Sequence, residues 1–155
     1  MNTALVILIT CLAAHIAEAK WRPLTEKELI SNSTTIVIAE FVSSSETAES
    51  YYKVQKGEFR VSEVIKGDPV KEVTVSGSTQ HICAPLVTFT GKEKGRYLLF
   101  LSRKGDLYVP VNGHFGMIPI NGGKVDWFIQ ASEETFSAER KPLDLEQVLK
   151  RVKAG

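Results

Sequence analysis

Histidine and cysteine are scarce in this 155-residue chain, with three His and two Cys, so any site built on them has few possible members. The tightest grouping is His81-Ile82-Cys83. In an extended segment residues i and i+2 share a face, so an imidazole and a thiolate can meet one metal ion there. His114 is the candidate for a third ligand. Closed zinc sites take four ligands, usually in short-spaced pairs, and His81, Cys83 and a distant His114 fall short of that set. The ordinary alternative is a half-buried Cys83 behaving as a small hydrophobe beside a surface histidine. No metal and no cofactor is therefore assigned.

Cys83 with His114 is also the formula for nucleophilic catalysis, which needs a thiolate activated by a base within hydrogen-bond reach. A chain with so few of these residues offers that pairing by default, and it specifies no catalytic residue. No G-x-S-x-G elbow, phosphate-binding loop or H-E-x-x-H motif is present. The carboxylates are scattered, and Glu133-Glu134 reads as a solvated pair in a polar loop.

One segment mixes the ingredients of a binding surface. Tyr108-Val109-Pro110-Val111-Asn112-Gly113-His114-Phe115-Gly116 combines aromatics, a histidine and flexible glycines. Tyr108, His114 and Phe115 are its candidate ligand-binding residues. The competing view is a tight irregular connection whose aromatics pack on the core.

The elements that must position these residues begin after a leader. Ala4 to Ala14 is an apolar run too short for a bilayer-spanning helix, which needs about 20 residues. Its length suits the hydrophobic region of a signal peptide, and Ala17-Glu18-Ala19 reads as a small-x-small cleavage site. Lys and Arg are missing ahead of the run, and a buried N-terminal strand or helix is the alternative. The expectation is removal of residues 1–19 and a secreted or periplasmic protein that begins at Lys20. The remaining 136 residues, 20–155, suit a single domain that can bury about two thirds of its unfolded surface. The leader holds Glu18 and no Lys or Arg, so its loss moves the net charge from +1 to +2. A balance this even, with no basic cluster, argues against nucleic acid as the main partner. No second apolar stretch approaches membrane length, so no membrane association is expected after cleavage. Cys11 leaves with the leader, so Cys83 has no intrachain disulfide partner, and the core must supply the stability.

Thr25-Glu26-Lys27-Glu28 matches a capping box, with Leu24 and Leu29 at staple spacing, and predicts a helix from Glu26 to Ser31. Thr35 to Val42 is β-branched and nearly all apolar, which predicts a strand covered on both sides. The polar run Ser43 to Ser50 is expected to be a loop. Tyr51 to Ile65 is expected to be a long strand with a break at Lys56-Gly57, with Phe59, Val61 and Ile65 on one face. A turn at Lys66-Gly67-Asp68-Pro69 leads into a hairpin partner at Glu72 to Ser76. Gly77 to Lys94 gives no clear pattern. Arg96 to Leu101 is the clearest buried strand, and Lys104-Gly105-Asp106 turns it into Leu107 to Val111, with Pro110 expected at an edge or bulge. Two short strands should surround Met117-Ile118 and Val125 to Ile129. The chain ends in a helix with Asp144 and Gln147 as an N-cap pair and Leu143 and Val148 as a staple. Leu145, Val148, Leu149 and Val152 form its apolar face.

Five to seven strands with Gly-rich turns and a helix at each end predict a mostly β fold in the form of a small antiparallel barrel. A β-sandwich is the alternative that periodicity does not separate. Three stretches bear on that choice. They are Ile36 to Val42, then Phe59-Arg60-Val61-Ser62-Glu63-Val64-Ile65-Lys66-Gly67-Asp68, then Cys83 followed by Gly95-Arg96-Tyr97-Leu98-Leu99-Phe100-Leu101. In that order they resemble the netrin-like OB-fold domains, the superfamily of the tissue inhibitors of metalloproteinases, and more particularly its little-characterised exported bacterial members. The resemblance covers roughly Thr34 to Ser102 and implies a five-stranded OB-like barrel. The inhibitors chelate a protease's zinc through a Cys-x-Cys start. Here the expected start is Lys20-Trp21-Arg22-Pro23, so that mechanism does not carry over. The leading expectation is an exported, non-enzymatic binding module whose partner is a protein or peptide. A protease inhibitor acting through a loop or edge strand comes second, and an enzyme using Cys83 and a histidine third.

Overall fold

The computed structural model describes residues 24–49, 52–78, 87, 89, 94–128 and 140–155. The fold is mostly β, with a helix before the strands and another after them. The first helix, α1 (Glu26–Asn32), starts where the capping box predicts. The Glu28 backbone N–H donates to the Thr25 hydroxyl at 3.2 Å, and the Thr25 N–H donates back to the Glu28 carboxylate at 2.9 Å. Leu24 and Leu29 then pack into the same cluster.

Eight strands follow: β1 (Thr35–Glu49), β2 (Tyr52–Lys66), β3 (Glu72–Ser78), β4 (Arg96–Lys104), β5 (Leu107–Pro110), β6 (Met117–Asn121), β7 (Lys124–Phe128) and β8 (Arg140–Asp144). Helix α2 (Leu145–Ala154) ends the chain. The sheet order is β1-β2-β3-β5-β4-β6-β7-β8, and β1 also pairs with β4. That extra pairing, Thr35↔Leu101 through Glu40↔Arg96, closes β1, β2, β3, β5 and β4 into a ring. Every pairing is antiparallel except β3–β5, which meets in parallel at Val75↔Tyr108.

The unbroken apolar runs of β1 and β4 exist because both of their faces are covered. Val37, Ala39 and Phe41 of β1 and Tyr97, Leu99 and Leu101 of β4 turn into the ring. There they meet Phe59, Val73 and Val75, with Tyr108 partly buried beside them, so all five ring strands contribute. The alternate residues, Ile36, Ile38, Leu98 and Phe100, face a second cluster with Leu29, Ile118, Val125, Trp127, Val148 and Val152. In it the helices and β6–β8 cover the outside of β1 and β4. The Trp127 indole N–H donates to Glu26 at 3.0 Å, which ties β7 to α1. On the ring's exposed surface Glu72, Arg60, Glu40 and Arg96 lie side by side on β3, β2, β1 and β4, a row of alternating charge.

Several expectations need correction. The run from Ser43 is not a loop. It is the far half of β1, paired from Ser43↔Glu58 to Glu49↔Tyr52, because ladder bonds to β2 satisfy its backbone whatever its side chains are. No break occurs at Lys56-Gly57. The register instead slips opposite Ser62 and Ile65 on β2 and at Val42 on β1. Those bulges turn Ile65 onto the helix-side cluster, while Phe59, Val61 and Val64 face the ring. Pro110 sits neither at a sheet edge nor in a bulge. It ends an interior strand, pairing with Leu101, and the Val111 N–H supplies the next bond to Phe100 O at 2.8 Å. Among the described residues the strands number eight rather than five to seven, since β8 was not anticipated. Asp144 takes the N-cap position of α2 but makes no side-chain cap bond. The Leu145 N–H, at the first helical position, donates to Gly123 O in the β6–β7 turn at 2.9 Å. The expected leader, His81, Cys83 and Glu133-Glu134 lie outside the described residues.

Candidate functional site

The segment after β5 is built by three backbone features. Asn112 adopts the left-handed conformation, φ 60° and ψ 28°, a region Asn enters more readily than most residues. The chain then winds through one 3-10 turn, Gly113–Gly116, before β6. Gly116 is buried, its Cα packed so closely under Val111 that a Cβ would lie 2.2 Å from the Val111 carbonyl oxygen. The Asn112 Nδ2 group is buried with no hydrogen-bond partner.

This turn puts His114 and Phe115 side by side, their ring centroids 4.0 Å apart at an interplanar angle of 34°. His114 is exposed, whereas Phe115 is partly buried and packs on the helix-side cluster. The guanidinium of Arg140, the first residue of β8, lies over the Phe115 ring, 4.6 Å from its centroid. Burial pulls the Arg140 pKa below its ordinary value, and the carboxylate of Asp126 on β7 acts against that shift. A cation on the face of an aromatic ring is attracted by the ring quadrupole, by about 0.5–1 kcal/mol at an exposed site and more when desolvated. Imidazole and guanidinium thus both pack on the Phe115 ring, with Asp126 as a nearby counter-charge to Arg140.

Tyr108 stands apart from this trio. It packs on the cluster inside the ring, whereas Phe115 packs on the helix-side cluster, so the two aromatics serve different parts of the core. The structure brings together His114 and Phe115 of the three expected residues and adds Arg140. Sequence reasoning missed Arg140 because it lies 25 positions after Phe115, in a stretch, Arg140-Lys141-Pro142, with no strand signal of its own. Among the described residues no group of three or more His, Cys, Asp and Glu gathers where a metal ion could be held. No helix among them is long and apolar enough to cross a membrane. No protein-family model matches the chain, and no characterised protein matches its sequence.

Proposed function

We propose that this chain is an exported, non-enzymatic binding module built on an OB-like, netrin-like barrel, and that it holds a protein or peptide partner at the His114–Phe115–Arg140 trio. The ring order β1-β2-β3-β5-β4, closed by β1–β4 and filled by side chains from every ring strand, supports the barrel. Export rests on the leader pattern of residues 1–19 and on its Ala17-Glu18-Ala19 site. The observation that carries the binding role is the trio itself. It sets an exposed imidazole and a half-buried cation against one apolar ring, which suits a carboxylate-bearing side chain next to an apolar one. On the ring's outer rows the neighbouring positions are Ser43, Glu58 and Thr74, then Ser45, Lys56 and Ser76. Those rows hold no aromatic on which bases could stack, which favours a protein partner over nucleic acid.

The test immobilises protein starting at Lys20 and compares what wild type, His114→Ala and Arg140→Ala retain from an exported fraction, by mass spectrometry. The expected result is a partner held by wild type and lost by both variants at unchanged melting temperature. Identical retention by all three would remove the trio from the function. Turnover abolished by Cys83→Ala would replace binding with catalysis, and one-to-one inhibition of a protease would replace it with the inhibitor role.

A further inference from the structure

Two of the chain's four asparagines precede a glycine, Asn112-Gly113 and Asn121-Gly122. In that dipeptide a backbone nitrogen can attack the side-chain amide with little hindrance, because glycine has no Cβ to crowd the approach. The attack still needs room around the asparagine and a backbone free to leave its resting conformation. The fold gives the two sites opposite surroundings.

Asn112 is enclosed. Its Nδ2 group is buried, and its backbone is left-handed. Val111 before it donates its N–H to Phe100 O at 2.8 Å and has Gly116 packed under its carbonyl, so the segment is pinned. Asn121 is the last residue of β6 and is exposed, as are Gly122, Gly123 and Lys124. It pairs with Lys124 across a two-residue turn, with Gly122 at φ 56° and Gly123 at φ 78°, the pattern of a type I′ hairpin. A Cβ on either turn glycine would meet no atom within 4 Å beyond its chain neighbours. Two residue pairs, Ile120↔Val125 and Asn121↔Lys124, join β6 to β7, so the tip of this hairpin opens locally with ease.

We propose that Asn121 is a site of spontaneous deamidation and that the fold shields Asn112 from the same reaction. The Gly122 backbone nitrogen attacks Cγ of Asn121. The new N–Cγ bond forms as the Cγ–Nδ2 bond breaks, and the Gly122 amide proton leaves with Nδ2 as ammonia. Water then opens the five-membered imide at either carbonyl, giving aspartate or isoaspartate. One water is consumed and one ammonia released, with no change of oxidation state. Either product adds a negative charge opposite Lys124. Isoaspartate also lengthens the main chain by a methylene at the turn whose Gly123 carbonyl accepts the Leu145 N–H, which passes the change to the start of α2. This site is distinct from the His114–Phe115–Arg140 trio and does not depend on its role.

The test incubates purified protein in mildly alkaline buffer, native and in concentrated urea, and digests samples at intervals. Tandem mass spectrometry assigns each amide-to-acid conversion to Asn112 or Asn121, and enzymatic methylation of isoaspartate measures the rearranged product. In the native protein Asn121 is expected to convert at least about tenfold faster than Asn112, and in urea the two rates should converge. Asn121→Gln, whose longer side chain closes a six-membered ring slowly, should abolish the hairpin's conversion at unchanged melting temperature. No native conversion at Asn121, equal native rates, a faster Asn112, or a difference that persists in urea would overturn the proposal. Conversion at Asn121 without isoaspartate would overturn it too, because direct hydrolysis would then replace the imide route.

Discussion

Phe89 explains two glycines that look like interruptions when only their neighbours are considered. Its ring is 1% accessible and lies in the ring's core, stacked on Phe41 and edge-on to Phe59. A Cβ on Gly57 would meet two Phe89 ring carbons at 2.7 Å, and one on Gly77 would meet the Val87 carbonyl oxygen at 2.3 Å. Gly57→Ala should therefore cost about 1–3 kcal/mol by overpacking. Gly77→Ala should cost more, because its obstacle is backbone and cannot rotate away. Urea unfolding of both variants checks the order, and a neutral Gly77→Ala would show that the Val87 segment can shift. The glycine signal was visible in the sequence, but its meaning was not. At Gly57 local context suggested a strand break, while the cause, Phe89, sits more than thirty residues away. A separation of 25 positions likewise hid Arg140 from Phe115, although His114 and Phe115 could be chosen from their own segment.

Elements were legible where their signals are local. The α1 capping box needs only Thr25 and Glu28, and both bonds of that box form. Thr25→Ala should cost about 1 kcal/mol, with Thr25→Ser close to wild type. Asp144 occupies the same position on α2 but makes no side-chain cap bond. Asp144→Ala should thus stay within about 0.5 kcal/mol. Chemical denaturation of the three variants tests this, and equal losses from Thr25→Ala and Asp144→Ala would contradict it. The far half of β1 was illegible for the opposite reason. Ser43 to Glu49 lacks the alternation of a half-buried strand, and the β2 ladder that holds it extended depends on partners elsewhere in the chain. β8 likewise owes its extended form to β7, against its own Lys141 and Pro142.

At the scale of the molecule, β1 and β4 work as a partition with a separate core on each side. Phe59 belongs to the ring core and Val148 to the helix-side core. Phe59→Leu and Val148→Ala should each cost about 1–3 kcal/mol. With no shared partners, the double variant should match their sum within about 0.5 kcal/mol. A larger departure, measured by equilibrium unfolding, would mean that the partition transmits strain. The mostly β composition and the terminal helices followed from periodicity and caps. The order in which strands join did not, because nothing in the β1 sequence names β4 as a neighbour. The β3–β5 junction gives that order a kinetic side. Thirteen residue pairs join β1 to β2, but Val75↔Tyr108 alone joins β3 to β5. A loop of strands fastened so unevenly should breathe at its thinnest join. Thermal openings would then unroll the ring at β3–β5 while β1 and β4 stay together. Native-state deuterium uptake should accordingly be faster at Val75 and Tyr108 than at Val37 and Leu99, and uniform uptake across these four amides would mean that the ring opens only as a whole.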